Sequence, residues 1–587
     1  MTAFLIANMA PIIFASLVIF LLLGYPVAFS LAANGIVFGL IGIELGMLPP
    51  ELFRALPERV YGVMSNETLL AIPFFTFMGL ILERSGMAED LLDTIGQLFG
   101  PIRGGLAYAV VLVGAMLAAT TGVVAASVIS MGLISLPIMM RYGYDKRLAS
   151  GVIAASGTLA QIIPPSLVLI IMADQLGKSV GDMYKGAFIP GFTLAGLYLV
   201  YILGITLIKP KWAPALPIEA RTFRETSGSS GAVSLLILTA ISTAAAVYFA
   251  MTYNPESPLD ERIVSSMSVG IGIAFAAAVL NRITKMHLLS RMAEKVTFVL
   301  IPPLALIFLV LGTIFLGIAT PTEGGAMGAA GALIMALAKR RLSWKLLRQA
   351  MDSTAKLTTF VVFILVGARV FSLTFYAVDG HVWVEHLLQG LPGGQVGFLI
   401  VVNILVFLLA FFLDFFELAF IVVPLLGPVA EKLGIDPIWF GVLLAVNMQT
   451  SFMHPPFGFA LFYLRSVAPS SVKTTEIYWG AVPFVLIQII MVGLLIAFPQ
   501  LVTSGLDKEV LQDSSRVNIM APQDENAAQD APAGPPGDGS PGEAQTFPGQ
   551  PAADDDLAKA LNKAMNQGDG GATDDDPAKA LEKALKK

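Results

Sequence analysis

Oxygen-bearing residues interrupt the apolar stretches of this chain at matched places in its two halves. Two such interruptions occur in each half. They contain Ser65, Asn66, Thr120, Thr121 and Gly122 in the first half, and Ser353, Thr354, Asp414 and Glu417 in the second. Hydroxyls and carboxylates can join the backbone carbonyls freed at helix breaks to bind a hard cation such as Na⁺. These nine residues are the candidate cation ligands. The alternative is that the Ser and Thr side chains only cap turns.

A second set of residues has the types and positions expected for substrate binding or gating. Ionisable groups within spanning segments are costly, so they are functional candidates by default. Polar residues and Pro-Pro pairs recur at equivalent places in the two halves. The set is Thr158, Pro164, Pro165, Glu323, Arg369, Gln449, His454, Pro455 and Pro456.

Three members of this set have simpler interpretations that stay open. For Arg369 the alternatives are that it neutralises Asp414 or Glu417, or that it contacts a cation or the substrate. His454 is a hydrogen-bonded core histidine or part of a proton relay. Glu323 follows a Pro and a Thr at a helix start, where a carboxylate caps the positive end of the helix dipole.

An internal repeat positions both sets. Residues 137–165 read PIMMRYGYDKRLASGVIAASGTLAQIIPP, and residues 428–456 read PVAEKLGIDPIWFGVLLAVNMQTSFMHPP. The second segment starts 291 positions after the first (428 minus 137), and this one offset aligns a Gly, an Asp and both prolines. The chain therefore consists of two halves built on one plan.

The composition indicates that the halves fold in a lipid bilayer. Hydrophobic residues make up 56% of the chain and charged residues only 13%, whereas about 25% charged residues is usual in soluble proteins. Cysteine is absent, which excludes disulfides and thiolate chemistry. We predict an all-α, polytopic membrane protein.

Two regions predict re-entrant hairpins because a polar tip lies between apolar flanks that are too short for two full spans. These are residues 58–85 and 345–377. Broken helices are predicted at residues 120–122 and 413–417. Irregular backbone at membrane depth is tolerated only where it is buried in protein or lines a cavity, and paired breaks in two halves indicate a transport site.

Basic residues predict that the halves are inverted. The loop RYGYDKR is basic, whereas its counterpart EKLGID is not, so the positive-inside rule places them on opposite sides of the membrane. Both termini are then outside. The predicted organisation is a first repeat at 1–208, a connection with extra helices at 209–318, a second repeat at 319–502, and an acidic, disordered tail at 503–587 with a duplicated DDDxAKAL unit.

Several motifs together carry a family resemblance. In order they are NETLLAIPFF, GYDKRLASGVIAASGTLAQIIPPS, SVGDMYKGAFIPG, ATPTEGG and VNMQTSFMHPPFGFALFYL. The chain resembles the large membrane subunit of TRAP (tripartite ATP-independent periplasmic) transporters over about residues 1–505. The segment FFLDFFELAF resembles the subgroup labelled for mannitol or chloroaromatic compounds.

The resemblance implies an elevator-type secondary transporter in the bacterial inner membrane that imports an organic acid with Na⁺ as coupling ion and without another cofactor. It implies two partners, a small four-helix membrane subunit and a periplasmic substrate-binding protein, and it leaves the tail in the periplasm.

Two rival classes remain at this point. A nucleotide-hydrolysing enzyme is unsupported because the segment ADQLGKS ends like a phosphate-binding loop but has Met172 where the first glycine is required. A stand-alone ion-coupled organic-anion carrier without a periplasmic receptor stays open as the alternative.

Overall fold

The computed structural model describes residues 2–221, 231–253, 259–284 and 288–506, and within these ranges its regular structure is entirely helical. Apart from residues 503–506, the predicted tail with its two DDDxAKAL units lies outside the described residues. The helices of the first half are α1 (Thr2–Ala7), α2 (Met9–Leu22), α3 (Val27–Glu44), α4 (Leu56–Met64), α5 (Ala71–Arg84), α6 (Met87–Phe99), α7 (Gly105–Thr121), α8 (Val124–Arg141), α9 (Lys146–Thr158), α10 (Leu167–Leu176) and α11 (Val180–Ile208).

The connection and the second half contain thirteen further helices. They are α12 (Ala232–Thr252), α13 (Leu259–Thr284), α14 (Arg291–Phe315), α15 (Pro321–Ala338), α16 (Trp344–Ala377), α17 (Gly380–Gln389), α18 (Gly394–Leu409), α19 (Phe415–Ile421), α20 (Val423–Lys432), α21 (Pro437–Met448), α22 (Phe459–Val467), α23 (Thr474–Ala497) and α24 (Gln500–Thr503). Eight helices in the described ranges are long and apolar enough to cross a membrane, or nine spans if one bent pair counts as a single span.

Each half contains one helical hairpin. The backbone N–H of Leu106, at the start of α7, donates to the Tyr144 hydroxyl just after α8 at 3.2 Å. In the second half, Gln395 Nε2 at the start of α18 donates to the carbonyl of Leu433, just after α20, at 2.7 Å. In each segment the chain therefore reverses direction, so that the start and the end of the segment lie side by side. We name residues 105–144 the first hairpin and residues 394–433 the second hairpin.

These hairpins lie one element further along the chain than the sequence predicted. Residues 345–377 were wrongly predicted as a hairpin, because α16 runs unbroken for 34 residues. Asp352, Ser353 and Thr354 remain helical, and the stretch contains no Pro and only one Gly to break it. At a rise of about 1.5 Å per residue α16 is about 50 Å long, well above the bilayer core of about 30 Å.

The region 58–85 is a bent helix and not a reversal of the chain. Its two parts, Leu52–Met64 and Thr68–Arg84, meet at 47°. Asn66 Oδ1 accepts the backbone N–H of Thr68 at 2.9 Å, which is the bond of a helix-starting cap. The polar residues at this point therefore cap a kink.

A broken helix follows each hairpin. The first consists of α9, a 3₁₀ turn (Leu159–Gln161) and α10; the second consists of α21, a 3₁₀ turn (Gln449–Phe452) and α22. Each break contains a Pro-Pro pair, and the bonds 164–165 and 455–456 are both cis. Both breaks therefore lie at the Pro-Pro pairs of the sequence repeat and not at the predicted positions 120–122 and 413–417.

The polar contacts between the broken helices establish the inversion. Lys146, at the start of α9, donates to the carbonyl of Ser471, beyond the end of α22, at 2.5 Å. Lys178, beyond the end of α10, pairs with Glu431, before the start of α21, at 3.2 Å. Each broken helix therefore begins where the other ends, as the prediction of inverted repeats requires.

The remaining long helices interlock the halves. Helix α3 packs along α16, and α15 packs along α5. The Thr374 hydroxyl donates to the Gly35 carbonyl at 2.7 Å, and a Cβ on Gly35 would lie 2.7 Å from the carbonyl oxygen of Val370. Because each pair joins one helix from each half, neither half can form this group of helices alone.

Candidate functional site

The tips of the two hairpins and both helix breaks line one cavity of about 580 Å³. This volume is in the range of small-molecule sites, about 300–1,000 Å³. The lining residues are Gly122, Val123, Val124, Ala125, Gln161, Leu167, Val168, Ser353, Lys356, Leu357, Phe360, Asp414, Phe415, Phe416, Glu417, Phe452, Phe459 and Tyr463. The hairpin bases face opposite sides of the molecule while their tips meet here, so each hairpin is re-entrant.

The tip of the first hairpin is a glycine turn. Gly122 ends α7 with φ +57°, a left-handed conformation that glycine adopts without a steric penalty. A Cβ at this position would lie 3.1 Å from the Leu167 side chain, so the residue also allows a close approach to α10. The candidates Thr120 and Thr121 end α7, but their side chains lie outside the described structure.

The tip of the second hairpin is a reciprocal acidic cap. Asp414 Oδ1 accepts the backbone N–H of Glu417 at 3.0 Å, and Glu417 Oε2 accepts the backbone N–H of Asp414 at 2.9 Å. This capping box starts α19 and holds two carboxylates at the cavity wall. Carboxylate oxygens are preferred ligands of hard cations.

Lys356 is the single basic residue of the cavity lining, on the face of α16 that also presents Ser353 and Phe360. The described residues make no ion pair or hydrogen bond with its ammonium group. The predicted partner of the carboxylates, Arg369, lies thirteen residues further along α16, or about 20 Å at about 1.5 Å per residue. Among the described residues no ion pair joins Arg369 to Asp414 or Glu417, so the predicted neutralisation is not observed in this structure.

The two breaks meet at the symmetry axis of the repeat. Gln449 Nε2 donates to the Thr158 hydroxyl at 3.1 Å, and these two positions are related by the same offset of 291 that defines the sequence repeat. A residue touches its own counterpart only near a pseudo-twofold axis. Next to this pair, Gln161 is 2% exposed, and its Oε1 has no hydrogen-bond partner within the described residues.

The other break candidates do not line the cavity. Pro164 and Pro165 are buried, whereas Pro455 and Pro456 are progressively more exposed. His454 is 1% exposed, and its ring packs 4.2 Å from that of Phe411 and 4.3 Å from that of Phe407. Thr354 is buried on α16 beside the cavity-lining Ser353.

Three sequence candidates lie elsewhere. Asn66 Nδ2 donates to Asp174 Oδ1 at 2.6 Å, and the Ser65 hydroxyl donates to the carbonyl of Tyr61. Glu323 forms a capping box with Thr320, accepting its backbone N–H at 2.8 Å. The structure thus separates Ser65, Asn66 and Glu323 from the cavity that contains Asp414.

This separation predicts that Asn66→Ala leaves the sodium dependence of uptake unchanged. The substitution removes a hydrogen bond between the bend of α4–α5 and α10, but no residue of the cavity. Uptake should be measured against sodium concentration in the full chain and the variant, with membrane levels matched. A sodium requirement raised as far as that of an Asp414 variant would place Asn66 at the ion site.

Sequence reasoning missed Lys356, Gln161 and the ring-bearing residues of the lining. Lys356 had a visible signal, because it is three residues after the candidate Ser353 and is the last charged residue before the apolar stretch 357–368. The rings had none, because phenylalanine is frequent throughout the chain.

Paired re-entrant hairpins, paired broken helices and a shared cavity define a multi-pass membrane protein of the inverted-repeat transporter class. The family described as "Tripartite ATP-independent periplasmic transporter, DctM component" matches residues 14–501. The chain belongs to this family, whose members are transporter permeases.

Named relatives agree with this assignment. The chain is 28% identical to the C4-dicarboxylate TRAP transporter large permease protein DctM of Pseudomonas aeruginosa, over 78% of this chain and 91% of that protein. It is 25% identical to the 2,3-diketo-L-gulonate TRAP transporter large permease protein YiaN of Escherichia coli, over 82% and 95%. The sialic acid TRAP transporter permease protein SiaT of Haemophilus influenzae is 23% identical, over 83% and 66%.

Proposed function

We propose that this chain is the large permease subunit of a sodium-coupled secondary transporter that depends on a substrate-binding protein and imports a small organic acid. The observation that carries the proposal is the convergence of both hairpin tips and both helix breaks on one cavity. This cavity presents two carboxylates and one ammonium group to whatever it binds.

The charges of the cavity support a coupling ion. Asp414 and Glu417 are half-buried and together can carry two negative charges against the single positive charge of the exposed Lys356. An uncompensated charge that is partly removed from water is unfavourable. A sodium ion at the second hairpin tip would restore the balance. Carboxylate oxygens there and the backbone carbonyls near Gly122 are the ligand candidates, with Ser353 and Thr354 on the adjoining helix.

The same charges suggest an order of binding. An organic anion that enters beside Asp414 and Glu417 is repelled until a cation neutralises them. Sodium therefore binds before the substrate, and Lys356 then attracts the substrate carboxylate. No nucleotide or other cofactor is required by this scheme.

The arrangement of the helices supports an elevator mechanism. Helices α3, α4 and α5 pack against α16, and α15 packs against α5. We assign these five helices to a scaffold group, whose α5 borders α7 of the first hairpin. The hairpins and broken helices pack with α11 and α23 and form a transport group. The cavity lies where the scaffold helix α16 meets the transport group, so a displacement of one group against the other would move the cavity contents.

Family membership supports the remaining assignments. The tripartite description of the family implies a small membrane subunit, for which we propose four helices, and a periplasmic substrate-binding protein. We place the chain in the bacterial inner membrane, surrounded by lipid, with its C-terminal tail in the periplasm.

Replacing sodium by potassium is expected to abolish uptake in proteoliposomes that contain the complete transporter. The reason is that the larger, less strongly coordinating K⁺ would not neutralise the hairpin carboxylates in the same geometry. Undiminished uptake in potassium would show that sodium is not the coupling ion. Repeating the assay without the periplasmic protein tests the alternative, because a stand-alone carrier would continue to transport.

A further inference from the structure

We propose that this chain has a second ligand site, separate from the transport cavity, at the base of the first hairpin. The site is a cavity of about 500 Å³, within the range of small-molecule sites, about 300–1,000 Å³. It shares no lining residue with the cavity at the hairpin tips. The occupant that its lining fits is an amphipathic organic cation, that is, an amine on an apolar body.

Three parts of the chain form this cavity: helix α6, the base of the first hairpin, and the segment that follows α11. Backbone hydrogen bonds hold that segment in place. The N–H of Gly104 donates to the Ala213 carbonyl, and the N–H of Asp145 donates to the Trp212 carbonyl, both at 2.9 Å. The segment therefore contacts the chain at both ends of the hairpin. The positive-inside rule assigns this base, with its basic loop RYGYDKR, to the cytoplasm.

Most of the lining is apolar and suits an apolar ligand body. Leu92 belongs to α6, Val110 and Ile134 belong to the two helices of the hairpin, and Leu216 belongs to the segment after α11. An apolar group that leaves water to contact these side chains is stabilised by the hydrophobic effect. The body of the ligand is therefore hydrocarbon and not polyhydroxylated.

A buried hydroxyl in the same lining indicates a polar group on the ligand. Ser135 lines the cavity and is 3% exposed, and its Oγ has no hydrogen-bond partner within the described residues. A buried polar atom without a partner is unfavourable. An ammonium group has three N–H donors, so it can bond this hydroxyl and still have donors for carboxylates.

The charged side chains of the lining are mainly acidic. Glu89 and Glu219 are exposed, and neither forms an ion pair within the described part of the chain. Asp93 pairs with Lys295 of α14 at 3.0 Å. Arg141 is the single basic residue of the lining. Two carboxylates without an ion pair against one guanidinium group favour a cation over an anion of the same shape.

An occupant of this site should slow transport, a consequence that rests on the proposed function. Helix α6 is tied to the start of α14 by Asp93 and Lys295, and to the chain just after α15 by Asp90 and Arg341, at 2.9 Å. The first hairpin belongs instead to the transport group. A ligand that contacts both α6 and the hairpin therefore opposes displacement of the hairpin.

Saturation-transfer NMR on the purified full chain tests the site with three probes of similar shape. Cyclohexylmethylamine is cationic at neutral pH, cyclohexylmethanol is neutral, and cyclohexylacetate is anionic. Potassium replaces sodium in the buffer, so that the transport cavity lacks its proposed coupling ion. We expect the amine to bind about tenfold more tightly than the alcohol, because two exposed ion pairs each contribute a small factor, and the acid to bind more weakly than the alcohol.

A double glutamate variant assigns the charge preference to this cavity. Glu89→Gln combined with Glu219→Gln should abolish the preference for the amine over the alcohol, because both carboxylates are lost. The matched control combines Glu51→Gln with Glu58→Gln, two exposed glutamates outside the lining. It should keep the preference.

A serine pair tests the buried hydroxyl. Ser135→Ala should weaken both the amine and the alcohol about threefold, because each probe loses one hydrogen-bond partner. Ser130→Ala, five residues earlier on α8 and outside the lining, should leave both affinities unchanged.

Uptake in proteoliposomes separates this proposal from the transport function. Saturating cyclohexylmethylamine should lower sodium-driven uptake by the unsubstituted transporter but not by the Glu89 and Glu219 double variant, whose uptake without amine should be normal. If the amine binds no more tightly than the alcohol, or the double variant keeps the preference, the second site is wrong, whereas sodium-dependent uptake without probe still supports the transport function. If the amine binds as expected without slowing uptake, the site stands and its link to hairpin displacement is wrong.

Discussion

Replacing Asp414 by Asn is expected to raise the sodium concentration for half-maximal uptake by about one to two decades. Removing a charged ligand from a partly desolvated site costs on the order of 1–3 kcal/mol, which is about one to two decades in affinity. Asn retains the size of the side chain and is a good helix cap. The N-terminus of α19 should therefore persist, and the loss of sodium affinity should result from the missing negative charge.

Asp436→Asn is the matched control. Asp436 is also a half-buried N-cap, accepting the backbone N–H of Trp439 at 2.7 Å, but it starts α21 away from the cavity. Its variant should keep the sodium dependence of the unsubstituted chain. Uptake should be measured over a range of sodium concentrations at equal membrane levels. Equal sodium curves for the two variants would show that the Asp414 carboxylate is not an ion ligand.

Replacing Gly480 by Ala is expected to destabilise the protein by at least about 3 kcal/mol, at the upper end of overpacking costs. A Cβ at Gly480 would lie 2.2 Å from the carbonyl oxygen of Arg147, and a Cβ at Gly151 would lie 2.1 Å from the carbonyl oxygen of Gly480. Helices α9 and α23 therefore cross with backbone against backbone. Backbone atoms cannot rotate away as a side chain can, so the helices must separate.

Gly493→Ala on the same helix separates this clash from a general effect of alanine. Gly493 has no atom within 4 Å of its added Cβ, and alanine favours helix over glycine by about 1 kcal/mol. Thermal unfolding of the purified chains and their levels in the membrane provide the comparison. Equal stability of the two variants would mean that α9 and α23 are further apart than the structure has them.

Composition and repetition determined the class and plan of this protein. A bilayer selects apolar helices regardless of how they pack, so 56% hydrophobic residues suffice to predict the class. The offset of 291 identified the two halves because equivalent elements keep their Gly, Asp and Pro residues, and the basic loop residues predicted their inversion. In the structure Thr158 and Gln449, which this offset aligns, form a hydrogen bond with each other.

The position of the hairpins depended on tertiary structure. A re-entrant hairpin and a full span have the same helical period and hydropathy, so only packing distinguishes them. Asp352 and Ser353 lie in a predicted hairpin but continue α16, whereas the tip of the second hairpin is at Asp414. A polar triplet does not end a helix by itself; a turn such as that at Gly122 does.

Tertiary structure also decided which residues form the site. Asn66 and Asp414 are both polar interruptions of apolar runs, yet the first hydrogen-bonds to Asp174 and the second lines the cavity. Lys356 and the six rings come from four separate parts of the second half, and their convergence depends on how each helix is rotated about its axis. A sequence specifies these rotations only through the packing of all the helices together, because a side chain's neighbours lie far away along the chain.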